Sequence, residues 1–224
     1  MDNYIKCECM TKRLKGNIVL DNISLSVKKG EFLVLKGHNG SGKTMILRAI
    51  SGLMRLNSGV VYIDNEIIGK QKQFPDSMGI LIEYPSFIPG YTGFQNLKFL
   101  SSINNKISDE EIYNIIQRVG LDKTDKRKYK RYSLGMKQRL GIAQALMEQP
   151  KLLLLDEPTN ALDSDGIKDV LDILKVEKAK GTTIVVASHD VHVLDNEMVD
   201  RIVHVNNGKL VDRIVHVNNG KLVD

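Results

Sequence analysis

The sequence predicts an α/β fold: a mostly parallel sheet covered by helices, with an N-terminal antiparallel β subdomain and an inserted helical lobe. Three observations carry this. The apolar runs "FLVL", "KLLLLDE" and "TTIVVAS" are continuous, the pattern of strands covered on both faces. They alternate with helical patterns, and that alternation builds parallel sheets. Between about residues 85 and 150 helix signals replace strand signals, which marks the lobe.

The elements follow in order. "YIKCECM" and "ISLSV" read as strands separated by turns, and alternation puts Cys7 and Cys9 on the same side. "FLVL" runs into a glycine-rich segment and the helical pattern "TMILRAISGL", closed near its end by Gly52. "SGVVYIDNEII" is a hairpin turning at Asp64-Asn65. In "GILIEYPSF" a buried strand of Ile80, Leu81 and Ile82 ends on an acid, Glu83, and is stopped by Tyr84-Pro85. Ser108 and Glu111 form a capping box that opens "DEEIYNIIQRVG", terminated by Gly120. After the basic loop Lys123 to Arg131, read as a solvated face, comes a longer helix over "SLGMKQRLGIAQALMEQ". The chain then returns to strand, helix ("DGIKDVLDILKVEKAK"), strand and a final hairpin.

That hairpin is duplicated. "RIVHVNNGKLVD" spans Arg201 to Asp212 and again Arg213 to Asp224 without a mismatch. One copy makes a hairpin with an Asn-Gly turn, while two are too few and too short for a solenoid. The first copy is expected to complete the fold, and residues 213–224 are assigned no function. Residues 1–224 are read as a single domain.

Bulk properties exclude several classes. With 42% hydrophobic and 26% charged residues the composition is that of a globular chain. No apolar run approaches the ~18 residues of a membrane span. "MDNYIKCECM" has no secretory pattern, so a cytosolic location is expected. Two cysteines without further ligands make neither a metal site nor, in a reducing compartment, a disulfide. The net charge of +5 is modest, and no nucleic-acid partner is expected.

The chemistry concentrates at three strand ends. "GHNGSGKT" (Gly37, His38, Asn39, Gly40, Ser41, Gly42, Lys43, Thr44) lies between a strand and a helix, the context of a P-loop. Backbone amides and the helix N-terminus there face phosphate oxygens, Lys43 reaches the β- and γ-phosphates, and Thr44 is placed to ligate Mg²⁺. "LLLLDEP" delivers Asp156 for Mg²⁺ and Glu157 to polarise an attacking water. "TTIVVASHD" delivers His189 to the same edge for a γ-phosphate contact. These features define the fold class more closely as that of a P-loop nucleoside triphosphatase.

The ordered set "GHNGSGKT", "YSLGMKQR", "LLLLDEP", "NALD" and "SHD" resembles the nucleotide-binding domain of ABC transporters across nearly all of residues 1–212. More narrowly, "ILIEYPSFIPGYTGFQNL" with "YSLGMKQRLGIAQAL" resembles the ATPase subunits of bacitracin-resistance and lantibiotic-immunity exporters. The resemblance implies a head-to-tail pair of ATPase subunits enclosing two ATP molecules. Each nucleotide would touch Gly37 to Thr44 of one subunit and Ser133 and Gly135 of the other, with Asp163 at the interface. It implies Glu157 as general base and His189 positioning water and γ-phosphate. It also implies separate integral-membrane subunits, placing the chain on the inner face of the cell membrane. The rival reading is an ABC ATPase uncoupled from transport, acting in cluster assembly or on nucleic acid or ribosomes.

The sequence departs from the broad family in three places. Leu134 and Met136 replace Gly and Gln in the signature, a form the narrower subfamily shares. Leu14 stands where an aromatic would stack on adenine, which leaves nucleotide selectivity open. Glu83 replaces a glutamine. It is expected to face Mg²⁺ and water and to join the metal site to the lobe. Tyr84, Phe87, Tyr91, Phe94 and Phe99 cluster beyond it, some in the lobe core, with Phe87 and Tyr91 expected in a groove for a membrane subunit.

Overall fold

The computed structural model describes residues 3–194, 196–218 and 221–223, with side chains up to residue 211. Strands β1 (Asn3–Leu14) and β2 (Asn17–Lys28) form a long antiparallel pair, and β3 (Phe32–Lys36) then enters the main sheet. Helix α1 (Lys43–Ile50) follows β3 and is closed by Gly52 at φ 81°. Strands β4 (Ser58–Ile63) and β5 (Glu66–Ile67) form the expected hairpin, with Asp64 and Asn65 both at positive φ. They add to β1, giving the four-stranded order β2-β1-β4-β5.

Strand β6 (Met78–Leu81) leads into the lobe, made of α2 (Gly93–Ser101), α3 (Asp109–Arg118) and α4 (Leu134–Leu146). Ser108 and Glu111 close the expected capping box on α3. The same signature, Thr92 with Gln95, opens α2, a helix not set apart in the sequence expectations above. Next come β7 (Leu152–Asp156), α5 (Ser164–Ala179), β8 (Thr183–Ser188) and the short α6 (Val191–Leu194). Strands β9 (Arg201–Asn206), β10 (Lys209–Asn218) and β11 (Lys221–Val223) complete a seven-stranded sheet of order β11-β10-β9-β3-β8-β7-β6. From β9 to β6 every pairing is parallel, so these strands all end at one edge.

Alternation along the central strands feeds two cores. Phe32 and Val34 face the lobe side with Leu97, Ile112 and Leu140, while Leu33 and Leu35 face α1 and the β subdomain with Ile5, Leu20, Ile46 and Ile50. The sheet is therefore buried on both faces, which is why its strands read as unbroken apolar runs.

The structure corrects two expectations. Cys7 is buried but Cys9 is exposed, because Cys9 adopts φ 48° where the β1–β2 register shifts between Cys7 and Met10. An irregularity of this kind rotates the next side chain to the other face; burial pushes the Cys7 thiol up to about 12. Phe87 is not at a groove: it is buried, edge-on to Tyr129 with ring centroids 5.2 Å apart. Tyr84 and Phe99 are the more exposed members of that cluster, at 69% and 54%, with Tyr91 at 41%.

The first repeat copy forms β9, the turn and the start of β10, as expected. However, β10 runs on into the second copy, with a register irregularity between Val211 and Ile214. Residues 219, 220 and 224 of that copy lie outside the described residues.

Candidate active site

The phosphate loop is shaped by backbone. Gly42 is the N-cap of α1 at φ 112° and offers no capping side chain, so the first amides of α1 are left for an outside acceptor. Gly37 must lack a side chain, because a Cβ there would come within 2.3 Å of the Val205 carbonyl oxygen. The turn after β9 braces the loop. The Gly208 N–H donates to the Ser41 carbonyl at 2.8 Å, and the His38 ring lies 3.1 Å from the Asn206 amide oxygen. The sequence carries no signal for that brace.

Lys43 is buried, and its ammonium donates to the carbonyls of Gly37 at 2.7 Å and His38 at 3.3 Å. It also lies 3.4 Å from Oε1 of Glu157. The Thr44 hydroxyl donates to Oδ2 of Asp156 at 2.7 Å. Burial pushes the Asp156 carboxyl above the usual aspartate range, and the nearby charges of Glu157 and Glu83 push the same way. The Thr44 hydrogen bond and Lys43 oppose them.

Glu157 follows β7 directly and has φ 46°, a left-handed backbone that turns its carboxylate toward Lys43 and β8. Its Oε1 lies 2.8 Å from Nδ1 of His189, while Oε2 is buried with no hydrogen-bond partner among the described residues. Gln138 of α4, also buried, donates to the carbonyls of Glu157 and Pro158, both at 3.1 Å. Gln138 lies within "YSLGMKQR", where nothing in the sequence marks it for this contact.

A cleft of about 720 Å³ opens over Gly40 to Thr44, Asp156 and Glu157, with Ile18 and Val19 at one margin and Glu83 and Tyr84 at another. Leu14 does not line it. Glu83 lies two residues beyond the end of β6, exposed, at φ 61°, and its Oε1 accepts from Nη2 of Arg48 at 2.6 Å. It therefore borders the cleft while its carboxylate is turned to Arg48.

Ser133, Gly135 and Asp163 stand apart from the cleft. Ser133 caps α4, its hydroxyl accepting from the Met136 N–H at 3.2 Å. Asp163 caps α5, accepting from the Gly166 N–H at 2.9 Å. A Cβ on Gly135 would lie 3.0 Å from the Ala161 carbonyl oxygen, so the signature and the "NALD" loop pack against each other.

Strand, glycine loop and helix carrying Lys43 and Thr44, with an acid pair at the end of the parallel strand next but one in the sheet, are the working parts of a P-loop nucleoside triphosphatase. Comparison with known proteins narrows this class. The family described as "ABC transporter" matches residues 20–160. The ABC transporter ATP-binding protein YybJ of Bacillus subtilis (strain 168) is 50% identical over 180 residues, covering 80% of this chain and 83% of YybJ. The lantibiotic transport ATP-binding protein SrtF of Streptococcus pyogenes is 36% identical over 187 residues, 83% of this chain and 80% of SrtF. The bacitracin transport ATP-binding protein BcrA of Enterococcus faecalis is 37% identical over 191 residues, 84% of this chain but 62% of BcrA. Among solved structures, the dimeric ATP-binding cassette MJ0796 bound to ADP and Pi superposes with a TM-score of 0.84 at 26% identity, covering 96% of this chain and 99% of that one. The chain belongs to the ABC transporter family and is an ATPase of that family. Among the described residues no helix is long and apolar enough to cross a membrane.

Proposed function

We propose that this chain is the ATP-hydrolysing subunit of an exporter that removes antimicrobial peptides or related antibiotics, pairing with a second ATPase subunit and driving separate membrane subunits from the inner face of the cell membrane. The observation that carries the pairing is the split of the site. Lys43, Thr44, Asp156 and Glu157 line one cleft and hold one another there, and His189 joins them through Glu157, whereas Ser133, Gly135 and Asp163 do not line it. In a head-to-tail pair Ser133 and Gly135 would reach the other subunit's nucleotide, where the N-terminal amides of α4 favour an anion.

The donors suit Mg²⁺. The Thr44 hydroxyl and the Asp156 carboxylate are hard oxygen ligands side by side, in a pocket where burial first, and then the charges of Glu157 and Glu83, disfavour the Asp156 charge. Among the described residues no group of three or more His, Cys, Asp and Glu could hold an ion alone, which fits a metal that keeps water and phosphate as its remaining ligands. When bound, Mg²⁺ would neutralise charge on the phosphates. On this reading Lys43 leaves its loop carbonyls for phosphate oxygens. Glu157 takes the proton of the attacking water on its unpartnered Oε2, while His189 and the Gln138 bonds hold that carboxylate and its backbone in place.

The substrate class rests on the likeness to SrtF and BcrA. Deleting the gene in its host and measuring inhibitory concentrations of bacitracin and of a lantibiotic tests it: sensitivity to one of them should rise and return on complementation. Unchanged sensitivity to both removes the antibiotic reading. Absence of a multi-span membrane protein from the natively purified complex removes the transporter reading and leaves an ABC ATPase uncoupled from transport.

A further inference from the structure

We propose that Arg48 is a positioning residue that competes with the bound cation for Glu83, and so sets how strongly nucleotide binding depends on Mg²⁺. The proposal rests on the P-loop and Mg²⁺ readings above. Arg48 lies in the last turn of α1, the helix that begins in the phosphate loop, and its Nη2 donates to Oε1 of Glu83 at 2.6 Å. A cation at that helix end is favoured by the last carbonyls of α1. Glu83 borders the cleft that holds Thr44 and Asp156, and its charge is felt at Asp156.

The charges of the site are unevenly matched. Lys43 is turned to its loop carbonyls and to Glu157, Arg48 to Glu83, and Asp156 has the neutral hydroxyl of Thr44. A divalent ion beside Asp156 would therefore meet a second carboxylate already in use by a guanidinium. That guanidinium has a weak hold. The side chains of Arg48 and Glu83 are 37% and 59% exposed, and solvent screens such pairs. The pair is thus built to exchange: Glu83 rests on Arg48 without metal and turns to the cleft when the cation arrives. A glutamine at this position would need no such partner, because it brings no charge to hold.

The test is an Mg²⁺ titration of the binding of a fluorescent ATP analogue to the purified chain, read at equilibrium and without turnover. Arg48→Gln should lower the Mg²⁺ concentration for half-maximal binding by about two- to five-fold, the range an exposed ion pair supports. Arg48→Lys, which keeps the charge but loses the planar fork, should fall between it and the wild type. In a Glu83→Gln background the Arg48→Gln change should have no further effect. Intact binding with no shift on Arg48→Gln, or the same shift with Glu83→Gln already present, overturns the competition while leaving the P-loop reading in place. Failure of the wild type to bind the analogue at any Mg²⁺ concentration overturns both.

Discussion

The phosphate cleft and the signature edge are built from similar materials but differ in completeness. At the cleft, loop, strand ends and acids hold one another within one chain: Lys43 lies between loop carbonyls and Glu157, and Glu157 between Lys43 and His189. At the edge, Ser133 and Asp163 cap their own helices and do not line that cleft. The first region has its internal partners in place. The second has capped helix starts, and on the proposed reading a second subunit brings the phosphate to the first amides of α4.

Mutations can break or sharpen this contrast. The largest effect is expected for Glu157→Gln, which keeps shape but removes the proton acceptor. Turnover should fall by about 10²- to 10⁴-fold, with nucleotide binding retained and the pair trapped closed in size-exclusion chromatography. Unchanged turnover would take Glu157 out of the base role. Lys43→Ala removes a charged phosphate contact and should weaken nucleotide affinity roughly 10- to 100-fold, as a loss of about 1.5–3 kcal/mol implies. Wild-type affinity by calorimetry would contradict the loop assignment. Ser133→Ala should separate the two regions: nucleotide affinity of the dilute monomer stays within about two-fold, while turnover at concentrations that permit pairing drops. Losing the cap should also cost about 1 kcal/mol of stability. Parallel losses in affinity and turnover would place Ser133 in its own chain's cleft.

The smallest effect concerns stability alone. Burial raises Asp156, so the folded chain keeps this proton to higher pH than the unfolded chain does. Its contribution therefore makes the ligand-free protein less stable as pH rises through the ordinary aspartate range toward the raised value, and level above it. Asp156→Asn removes that penalty. At neutral pH without Mg²⁺ or nucleotide its stability should rise by roughly 0.5–2 kcal/mol, as is typical of relaxing a functional site, and this is read as a higher melting temperature. A lower melting temperature would mean that the Thr44 hydrogen bond outweighs the buried charge.

Much of this was legible in the sequence, for local reasons. A capping box such as Ser108 with Glu111 is satisfied within a few residues, so spacing alone reveals it. Unbroken apolar runs ending in "DE" and "SHD" placed Asp156, Glu157 and His189 at strand ends, because a buried strand can release polar groups only where it stops. Glycines after the strand "FLVLK" placed the phosphate loop for the same kind of reason. The opening box of α2, Thr92 with Gln95, is equally local and is legible from the same spacing.

Tertiary structure alone decided the contacts made between distant segments. Nothing near Ser41 in sequence announces Gly208, yet the β9–β10 turn braces the loop from the far end of the chain. The irregular pairing around Cys9 turned that side chain outward, and packing with Tyr129 drew Phe87 into the core. Glu83 was visible as an acid at a strand end, but its partner Arg48 was not. The sequence by itself determined which groups reach the catalytic edge, because strand and helix periodicity are short-range. Which of those groups hold one another was decided by the folded chain, because hydrogen bonds and ion pairs are chosen by distance in space.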